Sequence, residues 1–187
     1  MDPLASILPL LMTLAVRQVM ESALRRGAPS KESGSDKASI VCWYLVYSAI
    51  LALALLRIWE MPVMAQAWWG YAVLWSGIAL RLVSLREIGA YYHPLVLIRQ
   101  GHRLVDTGPY CCLRHPLHLG LHLEMAGLAL LAADVLAWAA LGLSLFVLAR
   151  RNLQEERVLE GFFGPAYGDY RRYAWDLVDL LPGARRS

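Results

Sequence analysis

Apolar residues in this chain arrive in long unbroken blocks, and block length limits the folds open to it. A helix needs about 20 apolar residues to cross the hydrocarbon layer of a bilayer, with a usable range of roughly 17 to 25. The first block, Pro3 to Met20, is marginal in length and carries Pro3 and Pro9. Ala38 to Trp59 and Met64 to Leu85 are long enough to span, and Trp68 and Trp69 suit an interfacial aromatic belt. Leu117 to Ala149 is too long for one span and has Asp134 at its middle. It reads as two short helices folded back at Asp134, each rising about 24 Å at 1.5 Å per residue, with little tilt. The predicted class is all-α and integral to a membrane, with about five transmembrane helices. One membrane domain covers 1–187, with framework helices in 1–84 and a core in 85–187.

Composition agrees. Of 187 residues, 58% are hydrophobic and 18% charged, too apolar for an ordinary soluble domain. The net charge of +3 says less than its distribution. Loop one holds Arg25, Arg26, Lys31 and Lys37. The segment after the third block holds Arg86, Arg99, Arg103 and Arg114. The tail holds Arg150, Arg151, Arg157, Arg171, Arg172, Arg185 and Arg186. The turns at Glu60 to Val63 and at Asp134 have no basic residue. With five helices these basic groups share one side, which the positive-inside rule makes cytoplasmic. The N-terminus is then outside and the C-terminus inside. Basic residues that flank apolar blocks make no soluble basic face, so nucleic acid is not an expected partner. Arg, Ala and Leu dominance suggests a GC-rich bacterial genome and an inner-membrane location. Acidic Asp2 and the absence of a cleavage pattern fit a retained helix better than a signal peptide. Cys42, Cys111 and Cys112 do not describe a disulfide framework.

Chemistry concentrates in two cytoplasmic segments. One is HRLVDTGPYCCLRHPLHLG, His102 to Gly120; the other is RRNLQEERVLEGFFGPAYGDYRRY, Arg150 to Tyr173. Just before the first, LVLIRQGHRLV reads as two short extended pieces around a Gly101 turn. A tight turn at Asp134 makes the last two helices antiparallel neighbours. It brings Arg114, His115 and Pro116 toward Arg150 and Arg151, and so toward Glu155 and Glu156.

These residues carry a resemblance. Gly-His-x-Leu-Val, Gly-Pro-Tyr, Arg-His-Pro, a helical hairpin, Glu-Glu and Phe-Gly-x-x-Tyr-x-x-Tyr, in that order, resemble the isoprenylcysteine carboxyl methyltransferase family and its phospholipid N-methyltransferase relatives. The resemblance covers about Leu85 to the C-terminus. It implies S-adenosylmethionine bound on the cytoplasmic side, yielding S-adenosylhomocysteine, in a shell of Gln100, His102, Leu104, Val105, Gly108, Tyr110, Arg114, His115, Glu155 and Glu156. No strand-GxGxxG-helix pattern points to a soluble dinucleotide-type site. The sequence departs from the family at His118, where Tyr usually follows Arg-His-Pro by two places.

The residue chemistry suits this cofactor. Glu155 or Glu156 can pair with its ammonium, and Arg114 or Arg151 can grip its carboxylate in fork geometry. Tyr110 or Tyr167 can cover the adenine or face the sulfonium. Methyl transfer is mainly positioning of two reactants about 3 to 3.5 Å apart. A carboxylate acceptor needs no base but needs a cation, for which Arg151 is the candidate. Arg151, Glu155 and His115 are therefore the expected catalytic set. The acceptor is expected to be lipophilic, a carboxylate on a prenylated or lipidated cysteine-like group, arriving from the bilayer between helices three, four and five past Arg81, His122 and Glu124. A phospholipid amine or a small thiol is the alternative, and an amine would need a Glu or His base.

Plainer readings compete. Arg151 and Glu155 are spaced for a surface ion pair, and Glu156 and Glu160 for solvated positions. Tyr167, Tyr170 and Tyr173 could be interfacial anchors. Glu124 could simply pair with Arg81. His115, His118 and His122 near Cys111 and Cys112 could hold a metal or haem, but no tight Cys-x-x-Cys spacing is present and no metal is expected. A non-enzymatic membrane scaffold would need none of this chemistry.

Overall fold

The structure is a computed structural model that describes residues 3–24, 37–60, 67–92 and 103–180. Five long helices run in chain order: α1 (Pro3–Leu24), α2 (Lys37–Glu60), α3 (Ala67–Ile88), α4 (Pro116–Ala132) and α5 (Val135–Phe163). A short α6 (Pro165–Tyr173) and 3-10 turns at Gly89–Tyr91, Gly108–Cys111 and Leu177–Leu180 complete them. The described residues contain no strand, only an isolated parallel bridge between Leu113 and Trp175. The all-α expectation holds. Three helices, α1, α2 and α5, are long and apolar enough to cross a membrane, while α4 is apolar but shorter. The turns expected at Glu60–Val63 and at Gly101 fall largely or wholly outside the described residues.

The hairpin at Asp134 forms, but its arms differ. Ala133 takes the left-handed conformation (φ 48°) and closes α4, its N–H donating to Ala129 O. Asp134 then caps α5 by accepting from Leu136 N at 2.7 Å, which satisfies an otherwise orphaned helix donor. α4 has 17 residues. α5 has 29, a rise of about 44 Å, so the expectation of two short arms is corrected. The polar run from Arg150 has no breaker, and good helix formers carry α5 onward. It stops at Gly164 (φ 55°), a conformation glycine adopts without steric cost.

α3 and α4 are the most closely packed pair. Gly70 and Gly77 on α3 oppose Gly127 and Gly120 on α4. A Cβ on Gly77 would fall 2.6 Å from Glu124 N and Gly120 O, and one on Gly127 would fall 2.5 Å from Leu74 N. Small residues let helix backbones approach this closely, as in membrane helix pairs generally. Along this seam α3 and α4 leave no opening between them. The apolar core, including Leu10, Ile50, Leu74, Met125 and Leu128, joins α1 to α4. Outward apolar side chains such as Leu8, Leu45, Trp69, Val135 and Phe146 stay exposed, as a lipid-facing surface requires.

Candidate functional site

Two clusters of charge stand out, and sequence reading had placed residues in both. The first lies where α1 to α4 meet. Arg17 Nε is 2.8 Å from Glu124 Oε2, and Arg81 Nε is 3.1 Å from Glu124 Oε1. Arg81 Nη2 is 2.7 Å from Glu21 Oε1, and Tyr47 OH donates to Glu124 at 3.5 Å. Arg81 also donates to Leu117 O at 3.3 Å. Two cations and two carboxylates thus neutralise one another in a buried knot. The plainer reading of Glu124, a partner for Arg81, is the one the geometry takes up.

The second cluster is built by the loop before α4, the far half of α5, and the tail. Pro116 opens α4 at its first turn, where its missing N–H costs nothing, and this leaves Arg114 and His115 at the helix mouth. Arg114 Nη1 pairs with Glu156 Oε1, and its Nη2 pairs with Asp179 Oδ1 at 2.5 Å. His115 Nε2 is 3.6 Å from Glu156 Oε1, and its Nδ1 is 3.9 Å from Glu155 Oε2. Arg171 Nε approaches Glu156 Oε2 at 3.7 Å. Arg114, His115 and Glu156 are buried and Glu155 half-buried. The expected convergence of the two segments is present.

The tail is strapped to the loop by backbone. Trp175 N donates to Cys112 O at 2.8 Å, and Arg114 N donates to Trp175 O at 2.9 Å. Tyr170 OH donates to Tyr110 O at 2.8 Å. Tyr167 and Tyr170 are buried, with Leu104 packed against them, and Tyr173 is exposed. The interfacial-anchor reading therefore fails for the first two tyrosines.

Burial opposes charge on His115. The surrounding carboxylates of Glu156, Glu155 and Asp176 outweigh it and hold the imidazole above its ordinary value. Burial, with Glu155 beside Tyr110 and Glu156 beside Tyr167, pushes both phenols well up. They remain protonated donors at neutral pH. Both hydroxyls are buried with no hydrogen-bond partner among the described residues. A donor left unpaired in a native interior calls for an explanation, and here two of them flank the carboxylates.

Of the other expected residues, Arg151 is buried, with its guanidinium 5.1 Å from the Trp43 ring centre. That removes it from the surface-pair reading. Glu160, in contrast, is exposed. Gly108 (φ 55°) turns the loop beside Glu87, and Val105 is half-buried. His122 is buried on α4, its Nδ1 2.9 Å from His118 O. Gln100 and His102 lie outside the described residues. Sequence reading missed Asn152, Asp176, Asp179 and Trp43. Trp43 comes from α2, and its ring meets His118 edge-on at 5.0 Å. Trp43, Asp176 and Asp179 reach the site from other elements, so no spacing marks them, whereas Asn152 stands one turn before Glu156 on α5 and helix spacing could have found it.

Comparisons fit this geometry. Residues 68–161 match the isoprenylcysteine carboxyl methyltransferase (ICMT) family. The chain is 28% identical over 116 residues to protein-S-isoprenylcysteine O-methyltransferase B of Arabidopsis thaliana, covering 58% of this chain and 59% of that protein. It is also 28% identical over 109 residues to protein-S-isoprenylcysteine O-methyltransferase of Schizosaccharomyces pombe, covering 57% and 46%. A solved structure described as the eukaryotic intramembrane Ras methyltransferase ICMT superposes with a TM-score of 0.61 at 21% identity, over 80% of this chain and 55% of that one. This chain spans about half the length of these relatives, and the structural likeness speaks to the fold. The match across α3, α4 and most of α5 covers half the sequence, and the chain belongs to the isoprenylcysteine carboxyl methyltransferase family.

Proposed function

We propose that this protein transfers a methyl group from S-adenosylmethionine to a lipophilic acceptor in the membrane, a carboxylate on a prenylated or lipidated cysteine-like group. The observation that carries the reading is the meeting of Arg114 and His115 with Glu155 and Glu156 beneath two unpartnered tyrosine hydroxyls. Family membership and relatives named as isoprenylcysteine O-methyltransferases support it.

The residues present fit the cofactor's chemistry. Glu155, half-buried and facing His115, is free to take an ammonium. The Tyr110 and Tyr167 hydroxyls offer buried donors. Bound, the cofactor supplies an electrophilic methyl on a sulfonium. The chain supplies position: Arg114 fixes Glu156, and His115 spans both carboxylates. Leu104 packs beside Tyr167 and closes that flank to water. Leu104, Val105, Gly108, Tyr110, Arg114, His115, Glu155 and Glu156 form the proposed cofactor shell, with Gln100 and His102 assigned to it by resemblance. Arg151, held on Trp43, is the cation that orients an acceptor carboxylate, and His122 lies on the same acceptor side. Arg81 and Glu124 already neutralise one another with Arg17 and Glu21, so they brace the helices. The acceptor enters from the bilayer and the cofactor from the cytoplasmic side, where the C-terminus lies.

The test is calorimetric titration of the purified full chain with S-adenosylmethionine and S-adenosylhomocysteine, followed by methyl transfer to a prenylated cysteine. Saturable binding that weakens in Glu155→Gln, with an alkali-labile product, is the expected result. Absence of binding to either nucleotide would remove the proposal.

A further inference from the structure

A chain of hydrogen bonds runs behind the proposed site and ends on His118. Asn152 Nδ2 lies 3.0 Å from both Oδ1 and Oδ2 of Asp176. Asn152 Oδ1 lies 2.7 Å from His118 Nδ1. Asn152 and Asp176 are 1% and 4% exposed. An ionised carboxylate only accepts hydrogen bonds, so Asp176 dictates which way the Asn152 amide faces. The NH₂ group must point at Asp176. The amide oxygen must then point at His118, and an amide oxygen only accepts. His118 Nδ1 therefore carries a proton.

Asp176 is itself held firmly. Its Oδ1 accepts from Leu177 N at 2.7 Å, and its backbone N donates to Asp179 Oδ2 at 3.0 Å. Asp179 in turn pairs with Arg114, and the Trp175 strap sits one residue away. The groups around His118 decide its charge. The His115 ring stacks on it at 5.6 Å and 15°, and Arg151 lies across the Trp43 ring that touches it. A charge on His118 would be opposed by Arg151 and by any proton His115 takes up, which favours the neutral imidazole. A neutral imidazole protonated on Nδ1 has a lone pair on Nε2.

We infer that Asp176, acting through Asn152, fixes the proton of His118 on Nδ1, so that His118 offers its Nε2 lone pair as a set acceptor for an N–H cation bound in the cleft. The location of that cleft rests on the proposed function. A cationic donor suits the place because the His115 ring that stacks on His118 also faces Glu155 and Glu156. The N–H group belongs either to the amino-acid ammonium of the cofactor or to an amine acceptor. Asn152 and Asp176 are positioning residues; His118 makes the contact.

The tautomer is read directly by long-range ¹H–¹⁵N correlation on the detergent-solubilised full chain, independent of any ligand. Wild type should show His118 protonated on Nδ1 and bare on Nε2. Asp176→Asn keeps the size and removes the charge, so the Asn152 amide can turn over and His118 should become a mixture of tautomers. Adding Asn152→Asp puts a carboxylate back against Nδ1, and the double variant should restore the single tautomer. A wild-type His118 protonated on Nε2, or a double variant no better than Asp176→Asn, would overturn the inference.

The ligand arm compares S-adenosylhomocysteine with its deaminated analogue, and adds turnover on phosphatidylethanolamine vesicles. If the partner is the cofactor's ammonium, His118→Leu should weaken S-adenosylhomocysteine about tenfold and leave the analogue unchanged, in keeping with the loss of one hydrogen bond to a charged group. If the partner is an amine acceptor, both affinities hold and kcat/KM on the vesicles falls. No change in any of the three sinks the contact. A wild type that binds no nucleotide sinks the proposed function instead, while the tautomer measurement still stands.

Discussion

Arg17 of α1 and Glu124 of α4 meet at 2.8 Å, with the Glu124 side chain wholly removed from solvent. Glu124 also faces Arg81, and Glu21 completes the charge balance. Breaking a buried pair from one side leaves an uncompensated charge, at a cost of about 3 to 5 kcal/mol. Glu124→Leu should therefore lower thermal stability in detergent strongly. Replacing Glu124 and Arg17 together with leucines should recover a large part of that loss. A Glu124→Leu protein that melts with wild type would show the knot to be dispensable.

The glycine seam yields a matched pair of substitutions. Gly77→Ala drives a methyl against α4 backbone at 2.6 Å, whereas Gly142, within α5, has nothing within 4 Å of the same position. Overpacking costs about 1 to 3 kcal/mol. Alanine in an open helix position gains about 0.5 to 1 kcal/mol over glycine. Gly77→Ala should melt earlier than wild type and Gly142→Ala later. Equal shifts of one sign would contradict the close α3–α4 contact.

In the proposed cofactor cleft, Glu155 and Arg114 should separate binding from folding. The Glu155 side chain is 28% exposed and Arg114 1%. Glu155→Gln should weaken S-adenosylhomocysteine by about 1.5 to 3 kcal/mol, the worth of a hydrogen bond to a charged group, with little change in melting. Arg114→Ala takes the nearest cation from both Glu156 and Asp179 and should cost both affinity and stability. Titration calorimetry and thermal unfolding on the same samples decide between these outcomes.

His115 gives the stability a pH dependence. Its folded value is raised, because Glu156, Glu155 and Asp176 together overcome the burial that would lower it. The folded chain then binds a proton more tightly than the unfolded chain, so stability falls as pH rises through that interval. The contribution is complete below the unfolded value of about 6.5 and is lost once pH passes the raised folded value. Melting of wild type should drop with increasing pH over this range, and His115→Gln should flatten that slope. An identical slope in both would assign the dependence elsewhere.

Helix positions were legible because they depend on local properties. Apolar block length placed α1, α2 and α3 within a few residues, and Asp134 marked the hairpin. The apolar block ends at Ala149 and the polar run after it reads as helical at its start; the structure joins the two into one helix that reaches Phe163. Helix propensity does not stop where the membrane does. Arg114, His115, Glu155 and Glu156 were legible as neighbours because one tight turn relates them.

What the sequence determined by itself was the all-helical, apolar architecture and the two segments that carry the chemistry, since periodicity, block length and local motifs are written along the chain. Tertiary structure alone decided which charges are consumed and which are offered. Arg81 and Glu124 are tied into a neutral knot by α1. Asn152 and Asp176 stand behind His118, and Trp43 arrives from α2. Hydrogen bonds and ion pairs act only over a few ångströms, so their partners are fixed by how distant elements pack.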